Sequence, residues 1–153
     1  MEFKEIMEAF AADAGMTEPV AYEEEDVCHL AINGRDYGFR GVPEAGRMVI
    51  WTPLCARPPE SGERFLVQLL RANFMNQGMP DGALSLSDDD IVYAHCSLRL
   101  PIFDKVEFYD LFRRFVTTVN EWREMLEFAE RARKVMPQVR PPELPADEGF
   151  LWV

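Results

Sequence analysis

The chain has 153 residues, 48% of them apolar and 28% charged. That suits one domain with a sizeable core and excludes the low-hydrophobicity class of disordered chains. Its formal net charge of −11 repels phosphate backbones and anionic lipid surfaces, which argues against nucleic-acid binding and membrane association.

The first segment, with Phe3, Ile6, Met7, Phe10 and Ala14 at helical spacing and Gly15 behind them, predicts an amphipathic helix ended by a left-handed glycine. An amphipathic start, rather than an apolar run behind basic residues, is unlike a signal peptide. After Pro19 and the charged bend Glu23 to Asp26, Val27 to Ile32 meets Asn33-Gly34, the strongest short hairpin signal. A two-residue turn there pairs Ile32 with Arg35, Leu30 with Tyr37 and Cys28 with Phe39, and puts those apolar residues, Arg35 aside, on the core side.

A third strand, Arg47 to Leu54, is apolar in both phases, with Met48, Ile50 and Leu54 in one and Val49 and Trp51 in the other. Either a second layer covers Val49 and Trp51, or they stand on an open face suited to an extended chain. Pro58-Pro59 stops the strand region, Ser61 is a capping residue, and Gly62 to Asn76 is a helix closed by Gly78. Ala83 to Ser87 and Ile91 to Leu100 alternate as two strands around the Asp88-Asp89-Asp90 turn.

Asp104, with Glu107 three residues on, opens the longest helix, which Pro137 ends; unbroken, it would be about 50 Å long. Phe108, Phe112, Phe115, Val119, Trp122, Leu126 and Ala129 form one stripe along it, which must lie against something apolar. From residue 137 the chain turns Pro-rich, with Pro137, Pro141, Pro142 and Pro145. A domain over 1–136 and a tail over 137–153 follow.

Chemistry is sparse. No phosphate loop or dinucleotide fingerprint occurs, and the aspartate run lacks the spacing of a calcium loop. Neither a metal nor a cofactor is expected. His29 and His95 each sit beside a cysteine, which in a strand places the two side chains on opposite faces. Three cysteines, Cys28, Cys55 and Cys96, an odd number without a C-x-x-C pair, fit reduced thiols in a cytoplasm. No run is long enough to span a bilayer.

The helix within Gly62–Asn76 carries apolar residues on too many sides for one contact. Leu66, Leu69, Leu70, Asn73 and Phe74 share its main stripe, flanked by Phe65 and Ala72 and widened by Val67 beside Leu70 and Phe74. Exposing three such side chains would forgo about 5–9 kcal/mol, comparable with the stability of a whole domain. The same helix of a second copy across a two-fold axis is the most economical cover, with the long C-terminal helix as the alternative. Asn73, polar within the stripe, would find its symmetry mate there.

Taken together, "CHLAING", "LLRANFMNQG" followed by "LSLSDDDIVYAHCSLRLP", and the "FYDLFRRFV" helix resemble the small acidic class I chaperones of bacterial type III secretion, related to the chaperone of the translocated intimin receptor. The resemblance implies an α+β domain of order α-β-β-β-α-β-β-α, an antiparallel sheet packed with helices, and a homodimer through the central helix at Leu66, Leu69, Leu70, Asn73 and Phe74. It also implies a non-enzymatic cytoplasmic protein that holds the N-terminal segment of a secreted effector extended, soluble and ready for export. The apolar sheet positions, Val49, Trp51, Ile91 and Tyr93, would be its effector-binding patch.

Two other functions compete: a regulatory adaptor that sequesters a secretion or transcription regulator, and, less favoured, a small thiol or hydrolase enzyme built on the cysteines and histidines. For Phe150 to Val153, disorder is the stronger reading, and docking in a groove of its own or a neighbouring dimer the other.

Overall fold

The computed structural model describes residues 1–23, 26–58 and 62–135, with side chains to Arg131. The expected Ser61 cap and the Pro-rich tail lie outside the described residues. Eight elements follow in chain order: α1 Phe3–Asp13, β1 Val27–Ile32, β2 Arg35–Val42, β3 Arg47–Ala56, α2 Gly62–Asn73, β4 Gly82–Leu86, β5 Ile91–Arg99 and α3 Lys105–Val135. The fold is α+β, in the element order read from the sequence.

All strand pairs are antiparallel, in the sheet order β1-β2-β3-β5-β4. The hairpin at Asn33-Gly34 forms with both residues at positive φ (52° and 72°), as a type I′ turn requires. Its register is the expected one, Ile32 opposite Arg35, Leu30 opposite Tyr37 and Cys28 opposite Phe39.

One face of the sheet carries Cys28, Leu30, Tyr37, Phe39, Met48, Ile50, Val92, Ala94 and Cys96, all buried. Against it lie α1, through Phe3, Ile6 and Met7, and α3, through Phe108, Phe112, Phe115 and Val119. Phe10, Phe39, Phe108 and Phe112 pack ring to ring in this layer, with centroids 5.3–6.4 Å apart, the offset and edge contacts aromatic groups favour.

Polar side chains fix where α3 sits. Asp104 caps it, its Oδ1 accepting from the Val106 N–H at 2.8 Å. Tyr109 donates to Asp13 of α1 at 2.6 Å. Farther along, Trp122 Nε1 donates to the Gly78 carbonyl at 2.8 Å. Arg123 Nη2 donates to Thr52 Oγ1 at 2.9 Å and to the Pro53 carbonyl at 2.8 Å. The apolar stripe of α3 is buried only to Val119; Trp122 and Leu126 are half-buried and Ala129 is exposed. The last turns thus run beyond the sheet they began on.

Helix α2 lies against β4, at the edge of the sheet. Asn73 is the joint: its Nδ2 donates to the Leu84 carbonyl and its Oδ1 accepts from the Leu84 N–H, both at 2.8 Å. The side-chain amide thereby replaces a sixth strand at that point. The Asn73 amide, expected to meet its symmetry mate, makes these two bonds inside its own chain.

Replacing Asn73 by Leu should strand the Leu84 N–H and C=O and cost about 1–3 kcal/mol. A urea titration would read this as a lower midpoint at unchanged slope; an unchanged midpoint would dismiss the edge cap.

Candidate functional site: an open sheet face and an apolar helix stripe

The second face of the sheet bears no covering element among the described residues. One row crosses all five strands there, with His29 opposite Gly38, Gly38 opposite Trp51, Trp51 opposite His95, and His95 opposite Ala83. Val49 stands beside it opposite Ser97, and Tyr93 opposite Pro53. Ile91, in the same phase of β5, closes the patch opposite Ala56. Val49, Trp51, Ile91 and Tyr93, the residues named from the sequence as a binding patch, therefore share this face, each half-buried.

Gly38 shapes the centre of the row. A Cβ at this position would come within 2.1 Å of Trp51 Cε2, so the indole lies flat over the backbone of β2 only because no side chain is there. His29 meets the indole edge-on at 5.6 Å between centroids. On the far side of Trp51, desolvation holds His95 below the ordinary imidazole pKa, favouring its neutral form. The centre of the row is aromatic and uncharged, and charged side chains border it, with Asp36 and Arg40 on either side of Gly38 in β2.

The free edge of the sheet adjoins this face. In a two-residue hairpin the flanking Ile32–Arg35 pair exchanges hydrogen bonds, so the peptide groups of Val27, His29 and Ala31 point away from β2. Val27 uses its carbonyl to accept from Glu23 N–H at 2.7 Å. The outward groups of His29 and Ala31 are placed to pair with an added strand. At the other edge, Asn73 obstructs such pairing.

Two apolar faces divide α2. Leu69 is buried in its own chain, with Phe65, Leu66 and Ala72 half-buried around it. On the outer side Val67, Leu70 and Phe74 stand 42%, 70% and 64% exposed, and Met75 of the following turn 79%. The five residues named for an interface thus fall into different places: Leu70 and Phe74 point outward, Leu66 lies at the boundary, and Leu69 and Asn73 face β4. Val67, which the sequence reading set at the margin of the stripe, and Met75, which it did not name, complete the outer stripe. The spacing Val67, Leu70, Phe74 carried that signal, but it merged with the inward stripe.

Thiol chemistry has a poor setting. Burial pushes Cys28 up to about 11 and Cys96 up to about 12, and raises Cys55, where the Glu130 charge adds to it. Each thiol therefore stays protonated near neutrality, the inert form. The sheet also separates His29 and His95 from Cys28 and Cys96, which lie on the helix side. Among the described residues no three metal-ligating side chains come together, and no helix is long and apolar enough to cross a membrane.

Residues 5–123 match the Tir chaperone protein (CesT) family; the chain belongs to that family. Its fold is shared with type III secretion chaperones in solved structures. The ExsC–ExsE complex superposes with a TM-score of 0.68 at 14% identity, covering 82% of this chain and 97% of that one. The HopA1–SchA chaperone–effector complex gives 0.63 at 14%, covering 80% and 93%. The Yersinia pestis type III secretion chaperone SycH, bound to a fragment of YscM2, gives 0.60 at 16%, covering 78% and 98%. No curated protein sequence matches the chain.

Gly38→Ala should drive the Trp51 indole off β2, at a cost of about 1–3 kcal/mol. Trp emission should shift to the red in the folded protein; native emission unchanged from the parent would show that the ring does not rest on Gly38.

Proposed function

We propose that this protein is a cytoplasmic type III secretion chaperone that works as a homodimer and holds the N-terminal segment of a secreted effector extended, soluble and export-competent. The observation that carries the reading is the uncovered row across the sheet, flanked by Val49 and Tyr93 and continuous with the free edge of β1. An extended segment would add main-chain hydrogen bonds along that edge and set alternate side chains on the aromatic face. Holding a segment in this way uses no catalytic residue.

Membership of the Tir chaperone family supports the reading, as do the complexes in which structurally similar chaperones are seen with effectors. The patch combines one large aromatic anchor, Trp51, with apolar neighbours. Binding energy at such surfaces concentrates in a few aromatic side chains. The chaperone unit is assigned to residues 1–136, with 137–153 as an appended tail.

The homodimer rests on the outer stripe of α2. Burying Val67, Leu70 and Phe74 against a second copy would contribute about 5–9 kcal/mol before the cost of association. Because β4 occupies the inner side of α2, the two-fold contact uses only the outer one, centred on Leu70 and Phe74. Asn73 holds the helix at the angle that presents them.

Light scattering should find a dimer for the parent and a monomer with intact far-UV circular dichroism for Leu70→Glu combined with Phe74→Glu; a dimer persisting in that variant would remove the interface. In co-purification from bacteria expressing the secretion system, Trp51→Ala should lose at least tenfold in effector recovered. Equal recovery would remove the sheet face from binding.

A further inference from the structure

The shared family pattern ends at residue 123, yet α3 continues to Val135. Its added turns, with Leu126 and Ala129, form one wall of a cleft of about 960 Å³ whose other walls are the end of β3 and the start of α2. A β-bulge between Pro53 and Cys55 turns Cys55 to the helix side, where it lines this cleft. The open sheet face and the outer stripe of α2 are separate from it.

The cleft runs against the charge of the whole molecule. Four arginines line it, Arg35, Arg57, Arg64 and Arg123, against two glutamates, in a protein of net charge −11. Arg57 is paired with Asp90 at 3.0 Å. Among the described residues, Arg35, Arg64 and Arg123 have no ion pair, although Arg35 donates to the Asn120 side-chain oxygen. Arg123 keeps Nη1 buried without an acceptor, a costly state for a charged donor. Leu54, Phe65 and Leu126 give the same cleft an apolar floor.

We propose that the cleft is a docking site for this chain's own C-terminal segment, Ala146 to Val153, which combines the acidic pair Asp147-Glu148 with Phe150-Leu151-Trp152-Val153. The carboxylates bring counter-charge to the arginine side of the cleft, exposed Arg64 above all, and the aromatic side chains cover the apolar floor. Reach is sufficient: a ten-residue Pro-rich spacer such as 136–145 would span up to about 30 Å if extended, while Leu126 lies nine residues before Val135, about 14 Å along the helix axis. A tether of this length holds the segment at an effective concentration on the order of millimolar, an advantage no free acidic peptide has. The cleft wall and the segment also belong to one stretch of chain beyond the shared pattern. The inference is independent of effector binding on the sheet face.

Cys55 reports occupancy, because Cys28 and Cys96 are buried and react only on unfolding. In the full-length protein, the rate of Cys55 modification by a disulfide reagent should rise roughly tenfold in Phe150→Ala/Trp152→Ala, and similarly in Arg64→Glu. The synthetic peptide Ala-Asp-Glu-Gly-Phe-Leu-Trp-Val, added to the tail variant, should restore protection, and 0.5 M salt, in which the Debye length falls to roughly 4 Å, should weaken it. Unchanged circular dichroism melts would show that both variants remain folded. A Cys55 rate unaltered by the tail substitutions would overturn the proposal, as would protection that grows with protein concentration, which would place the segment on another copy.

Discussion

The bidentate contact between the Asn73 amide and the backbone of Leu84 governs the rest of the arrangement. An unpaired sheet edge invites another strand, and here a side chain occupies the place of that strand at one residue. The contact also fixes the roll of α2 about its own axis. With Leu69 turned toward β4, the residues about 100–160° further round, Leu70, Phe74 and Val67, point away from the body. One pair of hydrogen bonds therefore both obstructs one edge of the sheet and presents the apolar stripe.

The two edges consequently differ in kind. On β4 the outward peptide group of Leu84 is occupied by Asn73, while β1 retains outward groups at His29 and Ala31. Both flank the same aromatic face. A segment arriving at the sheet meets a directional surface, with pairing available along one border and obstructed at the other. This asymmetry is a consequence of polar satisfaction in the backbone, with no catalytic or charged group involved.

Much of this was legible in the sequence, for identifiable reasons. Asn33-Gly34 set the hairpin register because φ > 0 at both positions leaves few alternatives, and that register assigned every residue of β1 and β2 to a face. The double phase of β3 marked Val49 and Trp51 as candidates, although only the structure showed that nothing among the described residues covers them. Period alone could not separate the stripes of α2, since Leu66, Leu69, Leu70 and Phe74 span both; which half faces inward depends on β4, distant in sequence. Likewise, the charge composition concealed the arginine-lined cleft. Arg35, Arg57, Arg64 and Arg123 lie on different elements and form a group only once the β3 bulge and the last turns of α3 are in place.

The transverse row on the open face has a further consequence for the order of events in the life of the molecule. His29, Gly38, Trp51, His95 and Ala83 come from five strands, and β5 is the last of these to emerge during synthesis. Until β5 inserts between β3 and β4, Trp51 has no neighbour on one side and the row does not exist. The surface is thus created only on completion of the sheet, and an incomplete chain does not present this row. Closure of the sheet by β5 is therefore a precondition for any contact made across the row.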